Sequence, residues 1–302
     1  ENDRTAVVEK SREMGATWLF LIFQLWLCLF HTHVQVLNIS RTANAVDDKT
    51  KNSLFSKLKF MLSFIPEWLT EEVASEKFYL GMSRTKSEIA GEASTGRSGA
   101  GGRGSVVFVD EFSLIKEDTR VRENTASISD CRFFNGTHLG TGTEFFKLTM
   151  TPEIVKIVMH WTQHPDKNKG LYRYNSSKQK LEILDKSYKF PKDYPFIEDG
   201  SPTGGPFPGI RSPWYDKKCL EIGSPHGVAM ELDIDPHGSV TQFFDSRVIL
   251  ERVREFALPY RAWEGDIVYD RDLAEPRGLE EREGGPLKLW CPLDRENKPV
   301  GD

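Results

Sequence analysis

The chain has 302 residues, 38% hydrophobic and 28% charged, which is room for one large core or for one core plus a smaller lobe. The formal net charge of −5 gives no global attraction to nucleic acid, so any grip on DNA has to be local, or come from a missing part or from a ring of several copies. Cys28, Cys131, Cys219 and Cys291 lie far apart with no Cys-x-x-Cys pair, and they read as reduced thiols rather than a disulfide framework or a zinc site.

The first informative stretch is Ala6 to Phe30, AVVEKSREMGATWLFLIFQLWLCLF. A short β-branched run leads through a polar turn with Lys10, Ser11 and Arg12 to Gly15, Ala16 and Thr17, and then into a long apolar helical run. A strand–loop–helix junction of this kind can hold a nucleotide. The N–H groups of the loop and of the helix N-terminus point at phosphate oxygens, and a hydroxyl in the first helical turn can ligate Mg²⁺. The standard phosphate loop has glycine, four residues, then Gly-Lys-Ser/Thr. Gly15 and Thr17 fit it, Ala16 occupies the lysine position and Lys10 replaces the leading glycine. Trp18 to Phe30 is about thirteen residues, short of the roughly twenty needed to span a membrane, and it contains Gln24. A buried helix between a sheet and its neighbours is expected instead, and no signal peptide, because a strand and a loop come first.

Val34 to Arg41 alternates as a second strand, with no role assigned to Ser40 or Arg41. Asn44 to Pro66 reads as one amphipathic helix, with Leu54, Phe55, Leu58, Met61, Leu62 and Ile65 at helical spacing and Pro66 ending it. Phe78–Ser83 and Glu88–Ala90 read as a strand pair, and Gly91 to Gly104 as a flexible loop carrying Arg97 and Arg103. Gly104 to Phe112, GSVVFVDEF, is an apolar run of buried-strand length ending in Asp110 and Glu111. Two adjacent carboxylates at a strand end, downstream of a phosphate-type loop, read either as the second half of an ATPase site or as a strand ending in an exposed acidic turn. In an ATPase site the first carboxylate holds Mg²⁺ through water and the second polarises the water that attacks the γ-phosphate. A helix carrying Arg120 and Arg122 follows, then a short strand within Ser129 to Phe146 that runs into a glycine-rich turn around Gly136, Thr137 and Gly140. Asn-x-Ser/Thr matches at Asn38, Asn135 and Asn175 are read as chance.

In this order, KSREMGATW, VVFVDE and GTHLGTGTEFF resemble the ATPase domain of the large terminase subunit of tailed bacteriophages, the motor that pumps DNA into capsids. The resemblance covers residues 4–150 well and the remainder more loosely. It implies a nucleotide-binding segment of Lys10, Ser11, Arg12, Gly15, Ala16 and Thr17, in which Lys10 or Arg12, lying earlier in the loop, stands in for the usual lysine at the β- and γ-phosphates. Thr17 would ligate Mg²⁺ directly and Asp110 through water, with Glu111 as general base and Arg12 as the second catalytic residue. Gly136, Thr137 and Gly140 would be the coupling turn, with glycine where the family pattern has serine, and Thr137 would sense the γ-phosphate. A motor of this kind also needs an arginine on the γ-phosphate, in cis or from a neighbour, for which Arg120 and Arg122 are candidates. ATP and Mg²⁺ are the implied cofactors. The implied partners are double-stranded DNA, the portal protein of the procapsid, the small terminase subunit and further copies in a homo-oligomeric ring. No membrane is involved, and the implied location is the bacterial host cytoplasm, transiently docked on the procapsid.

His160 and His164 in HWTQH stand four apart, but Trp161 takes the place of the glutamate that a metalloprotease needs, so no metal is expected there. Residues 166–192 are rich in lysine, with Lys167, Lys169, Lys178, Lys180, Lys186, Lys189 and Lys192 among tyrosines, either a solvated hairpin or a phosphate-backbone contact surface. Pro191 to Pro213 is an irregular loop, and Ser212 to Cys219 opens a helix. Glu231 to Phe244 resembles the terminase segment that closes the ATPase lobe. Arg247–Glu255 reads as helical and Ala262–Tyr269 as extended, while Asp266, Asp270 and Asp272 are not assigned to a metal. Both ends read as cut, and the ribonuclease H-type nuclease of full-length terminases would lie beyond residue 302, so no nuclease activity is expected.

The fold expected is α/β of the P-loop NTPase class, a doubly wound, mostly parallel sheet with a small lid or linker subdomain. Residues 1–160 would form the ATPase core, 161–260 the rest of that domain with the lid, and 261–302 a linker towards the nuclease. The expected function is an ATP-hydrolysing motor that translocates double-stranded DNA. The alternatives are a helicase-like or recombination ATPase of the same fold, and a degenerate module that binds nucleotide or DNA without hydrolysis.

Overall fold

The computed structural model describes residues 5–48, 50–70, 72–94, 103–175, 180–198, 205–239, 263–269 and 276–289. The chain divides into two compact units, Glu1–Phe243 and Phe244–Asp302. The first begins with β1 (Ala6–Lys10), α1 (Ala16–Phe30), β2 (Gln35–Ser40), α2 (Ala43–Val46), α3 (Leu54–Leu62) and α4 (Glu67–Thr70). It continues through β3 (Val73–Glu76), β4 (Tyr79–Met82), β5 (Ser87–Ala93), β6 (Val106–Val109), α5 (Asp118–Ala126), β7 (Arg132–Gly136), α6 (Glu144–Thr149) and β8 (Val155–Met159).

These strands form an eight-stranded sheet in the order β3-β4-β5-β2-β6-β7-β1-β8. From β5 to β8 every neighbouring pair is parallel; β4 runs against the rest, antiparallel to both β3 and β5. Parallel strands covered on both faces need apolar side chains, which is why β6 (VVFV) reads as an unbroken apolar run and β1 (AVVEK) opens with three apolar residues before Glu9 and Lys10. Alternate residues then divide between two faces. Val8 and Phe108 pack with Ala16 and Phe20 of α1, whereas Val7, Val107 and Val109 pack with Val121 of α5 and Phe145 and Leu148 of α6. The sheet is therefore doubly wound, and the fold class is the α/β expected. The carboxyl ends of β1, β2, β6, β7 and β8 lie along one edge, and the loops that follow these strands open there.

Three expectations change. The helix read over residues 44–66 is divided into α2 and α3, because Ser53 accepts a hydrogen bond from the Ser56 N–H and restarts the helix, while Asp48 binds Thr50 in the turn before it. Part of the stretch read as a flexible loop, Gly91–Ala93, is the end of β5, in register with Asn38–Ser40 of β2; a Cβ at Gly91 would stand 2.5 Å from Phe55 and 2.6 Å from Val46, so close packing demands glycine. Arg97 of that stretch lies outside the described residues. Helix α1 is not buried all round: Phe20, Leu21, Leu25, Cys28 and Leu29 are packed away, but Trp18, Leu19, Ile22, Phe23, Trp26 and Phe30 are 37–58% exposed. No helix among the described residues is long and apolar enough to cross a membrane.

Beyond β8 the chain builds a smaller layer. It comprises β9 (Tyr172–Asn175), β10 (Lys180–Ile183) and β11 (Ile210–Arg211) in one antiparallel sheet, then α7 (Pro213–Ile222), α8 (Pro225–Val228) and a π-helical turn, Ala229–Asp233. Trp161, Tyr215 and Leu232 form its core. His160 and His164 bracket the 3-10 turn Trp161–Gln163 instead of sharing a helix face, and burial lowers the His160 pKa to about 4. The lysine-rich region is not one uniform surface. Lys167 is buried and Lys169 pairs with Asp166; Lys178 lies outside the described residues. In the second unit, β12 (Trp263–Tyr269), β13 (Pro276–Glu281) and β14 (Leu287–Leu289) form an antiparallel sheet, and β12 covers the stretch expected to be extended. Asp266 there pairs with Arg282, while Asp270, Asp272, Cys291 and the expected helix 247–255 lie outside the described residues.

Gln24 of α1 and Asn38 of β2 exchange two hydrogen bonds, 2.9 and 2.8 Å, in the core beneath the helix. Removing one amide strands the other, whereas removing both leaves no orphan. Asn38→Leu is expected to lower unfolding free energy by about 1–3 kcal/mol and Gln24→Leu/Asn38→Leu by less than the sum of the single losses, measured by urea denaturation.

Candidate nucleotide site

Lys10 ends β1 opposite Met159 of β8, and the chain then turns through Ser11–Gly15 into α1. The turn is pinned from behind. The Ser11 N–H donates to Met159 O (3.0 Å); its hydroxyl donates to Leu232 O (2.5 Å) and accepts from the Trp161 N–H (3.1 Å). Ser11, read as part of the nucleotide-binding segment, is thus fully buried with its side chain committed to the small layer. The Arg12 N–H donates to Glu231 O (2.6 Å), and its guanidinium lies 3.0 Å from the Glu231 carboxylate. Lys167 donates to the carbonyls of both Arg12 and Glu13 at 2.9 Å. Burial lowers the Lys167 pKa; Glu13 opposes this, and Lys218 and Lys10 reinforce it.

Glu13 (φ 58°) and Gly15 (φ 76°) both adopt the left-handed conformation, which curls the loop and favours glycine at the second position. Ala16 is 1% exposed and packs on Val8, Phe20 and Phe108. Among the described residues the N–H groups of Glu13, Met14, Gly15, Ala16 and Thr17 have no protein partner. A curled loop at a helix N-terminus with free N–H groups can receive phosphate oxygens.

The Thr17 hydroxyl lies 3.2 Å from both oxygens of Asp110, so the first turn of α1 meets the end of β6 across the tip of β7. Asp110 also accepts from Asn135 Nδ2 at 2.6 Å, while among the described residues the buried Asn135 Oδ1 has no partner. Glu111 is left-handed (φ 52°), which turns the chain sharply after β6, and its Oε2 lies 3.0 Å from Arg41 Nε at the end of β2. Thr17, Arg41, Asp48, Asp110 and Glu111 line an open cleft of ≈ 310 Å³.

The third turn adjoins this edge, since Gly136 pairs with Glu9 of β1. A Cβ at Gly136 would stand 3.2 Å from Ser113 Oγ, and Gly140 (φ 84°) donates its N–H to Ser239 Oγ at 2.9 Å. Thr137 is half-buried between them. His138 Nε2 lies 2.6 Å from Glu9 Oε1 and Lys156 3.3 Å from Glu9 Oε2. Burial alone would raise the Glu9 pKa, but the hydrogen bond and charge of His138, with those of Lys156, leave it lowered. Arg120 and Arg122 are engaged on α5, with Glu117 and Glu144 respectively.

The structure thus brings Gly15, Thr17, Asp110, Glu111 and the Gly136–Gly140 turn to one edge, with Lys10 and Arg12 at the loop's entrance. Sequence reasoning misses Asn135, Arg41, Glu231 and Lys167. Arg41 directly follows a strand, a signal that could have found it; the other three meet the site only through strand order or through the small layer. Thr17 and Asp110 supply hard oxygen donors of the kind Mg²⁺ takes, and the unpartnered Asn135 Oδ1 beside Asp110 suits a metal-bound water.

No protein-family model matches the chain, and no curated protein matches it. Among solved structures it is similar to the large terminase ATPase domain of Thermus phage P74-26 (TM-score 0.43, 14% identity, 55% of this chain and 79% of that one). It is also similar to the large terminase of bacteriophage HK97 (0.41, 15%, 55% and 37%). A third is the large terminase of a thermophilic bacteriophage in complex with ADP (0.40, 14%, 52% and 41%).

Replacing Asn135 by aspartate keeps its shape and puts a second carboxylate 2.6 Å from Asp110, where both cannot ionise cheaply. Asn135→Asp is expected to lose about 3 kcal/mol of stability at neutral pH. The shared proton raises a folded-state pKa, so the deficit should shrink as pH falls; added Mg²⁺ should shrink it at pH 7, both read by chemical denaturation.

Proposed function

We propose that the first unit binds and hydrolyses ATP with Mg²⁺, as the energy-supplying domain of a terminase-like motor acting on double-stranded DNA. The observation that carries this reading is the Thr17 hydroxyl on both oxygens of Asp110, at the mouth of a curled loop with free N–H groups and beside Glu111. The loop N–H groups of Glu13 to Thr17 bind phosphate oxygens. Thr17 and Asp110 hold Mg²⁺, which when bound neutralises charge on the phosphates. Arg12 or Lys10 supplies the cation that Ala16 does not. Arg12, whose side chain is 65% exposed, reaches phosphate by leaving Glu231, whose own side chain is 18% exposed. Arg41 holds Glu111 by Oε2, leaving Oε1 to orient and deprotonate the attacking water. The turn Gly136–Gly140 joins β7, the neighbour of the loop strand, to Ser239 of the small layer, a route by which Thr137 passes phosphate loss to the rest of the unit. The procapsid portal, the small terminase subunit and further copies in a ring are the partners this motor reading carries.

A non-hydrolysing module is the second reading, and the burial of Ala16 and the engagement of Arg12 by Glu231 favour it. Mg²⁺-dependent phosphate release, with and without duplex DNA, separates the two. Turnover is expected, and Glu111→Gln should retain ATP binding while losing about 10²–10⁴ of kcat. Normal turnover in that variant would reject Glu111 as the base, and ATP binding without turnover in the unaltered chain would establish the second reading.

A further inference from the structure

Lys167 has no place in the mechanism above, although among the described residues it is the one buried lysine or arginine. It lies in the small layer, 155 residues from Arg12, and is 5% exposed. Its ammonium meets three groups: the carbonyls of Arg12 and Glu13, each 2.9 Å away, and the Met14 sulfur at 4.0 Å. The same ammonium lies 4.6 Å from the centroid of the Trp214 ring. Its backbone is held as well, with its N–H on His164 O and its carbonyl accepting from Ser212 Oγ. A lysine with its stem buried and its protons committed to carbonyls is not a free phosphate ligand.

What it does follows from peptide geometry. In a trans peptide the C=O of one residue and the N–H of the next point in opposite directions. Turning the Arg12 carbonyl onto Lys167 aims the Glu13 N–H away from it, and turning the Glu13 carbonyl aims the Met14 N–H away likewise. These are the first two of the five N–H groups left without partners. A charged donor shared by two carbonyls fixes both planes at once, which a single neutral hydrogen bond would not.

Resting on the nucleotide reading above, we propose that Lys167 is a positioning residue: it stands behind the phosphate loop, holds the Arg12 and Glu13 carbonyls inward, and so preorganises the Glu13 and Met14 N–H groups for the phosphates of a nucleoside di- or triphosphate. The lysine that usually touches such phosphates is here replaced in part by one that orders the loop from the rear. Because it orders donors that serve any phosphate in the loop, it acts on ADP and ATP alike.

The test compares Lys167→Met and Trp214→Leu with the unaltered chain, reading ADP and ATP dissociation constants by calorimetry, kcat at saturating ATP, and folded fraction by circular dichroism. Lys167→Met is expected to weaken both nucleotides by the same factor, on the order of tenfold, with kcat kept within about threefold. Lys167→Arg, which still offers donors to two carbonyls, should recover most of the affinity. If Lys167→Met fails to fold, Trp214→Leu decides by a smaller, equal loss for both nucleotides. Loss of ATP affinity with ADP unchanged would mean a direct γ-phosphate contact and overturn the positioning role. Unchanged affinities in folded variants would overturn it as well. An unaltered chain that binds neither nucleotide would refute the nucleotide reading itself, and with it this role.

Discussion

Everything at the site depends on how the chain satisfies its backbone between β1 and α1. A buried strand leads directly into a half-buried helix, so the polar groups of the connecting turn cannot all reach water. Those on the inner side are answered by the protein: Ser11 N–H by Met159, Arg12 N–H by Glu231, and the Arg12 and Glu13 carbonyls by Lys167. Those on the outer side, from Glu13 to Thr17, are left open among the described residues. The loop is saturated on one side and empty on the other. That asymmetry, more than any single side chain, is what supports the proposed phosphate role, and it depends on the small layer packing against the loop from behind.

The groups proposed to react are restrained from two directions. Glu231 of the small layer provides both a carbonyl for the Arg12 N–H and a carboxylate for its guanidinium, and Arg41 at the end of β2 holds one oxygen of Glu111. Both ion pairs have a solvent-exposed arginine, so solvent screens them in part, the Arg41–Glu111 pair more than the Arg12–Glu231 pair, whose carboxylate is 18% exposed. The Thr17–Asp110–Asn135 chain is different. Asp110 and Asn135 are buried, with Asn135 keeping one oxygen unpartnered at a place where an orphan is costly. The Thr17–Asp110–Asn135 end of the edge is therefore held by buried partners, whereas the Arg12 and Arg41 pairs stand at the solvent.

The sheet is legible in the sequence because parallel strands buried on both faces are rich in apolar residues, as all of β6 and the first three residues of β1 are, and because a carboxylate pair directly after such a run marks where the strand leaves the core. Asp110 and Thr17 can be matched by type and order alone. Asn135 cannot, since nothing in FFNG says that β7 lies between β1 and β6; strand order brings its amide to Asp110. The long apolar run of α1 reads as buried all round, because composition does not reveal that among the described residues one face, from Leu19 to Phe30, is largely uncovered. The single helix over residues 44–66 fails for a local reason, the capping hydroxyl of Ser53 in the middle of an otherwise suitable apolar spacing. Lys167 reads as one member of a basic surface, and only the fold of the small layer turns it inward.

Ala16 draws these threads together. At the position where a phosphate loop usually carries lysine, this chain places a methyl group in contact with Val8, Phe20 and Phe108, at the junction of β1, α1 and β6. Ala16 is 1% exposed, so the first turn of α1 is anchored there by packing. Positive charge has instead been distributed: Arg12 at the loop, loosely paired, and Lys167 behind it, tightly bound to carbonyls. A cation on the ligand side attracts phosphate directly, whereas a cation behind acts through the peptide planes it orients and through a field that the buried surroundings screen little. The second arrangement separates the ordering of the loop from the charge that meets the ligand, and so permits the loop residue that closes on phosphate to be one that can also let go.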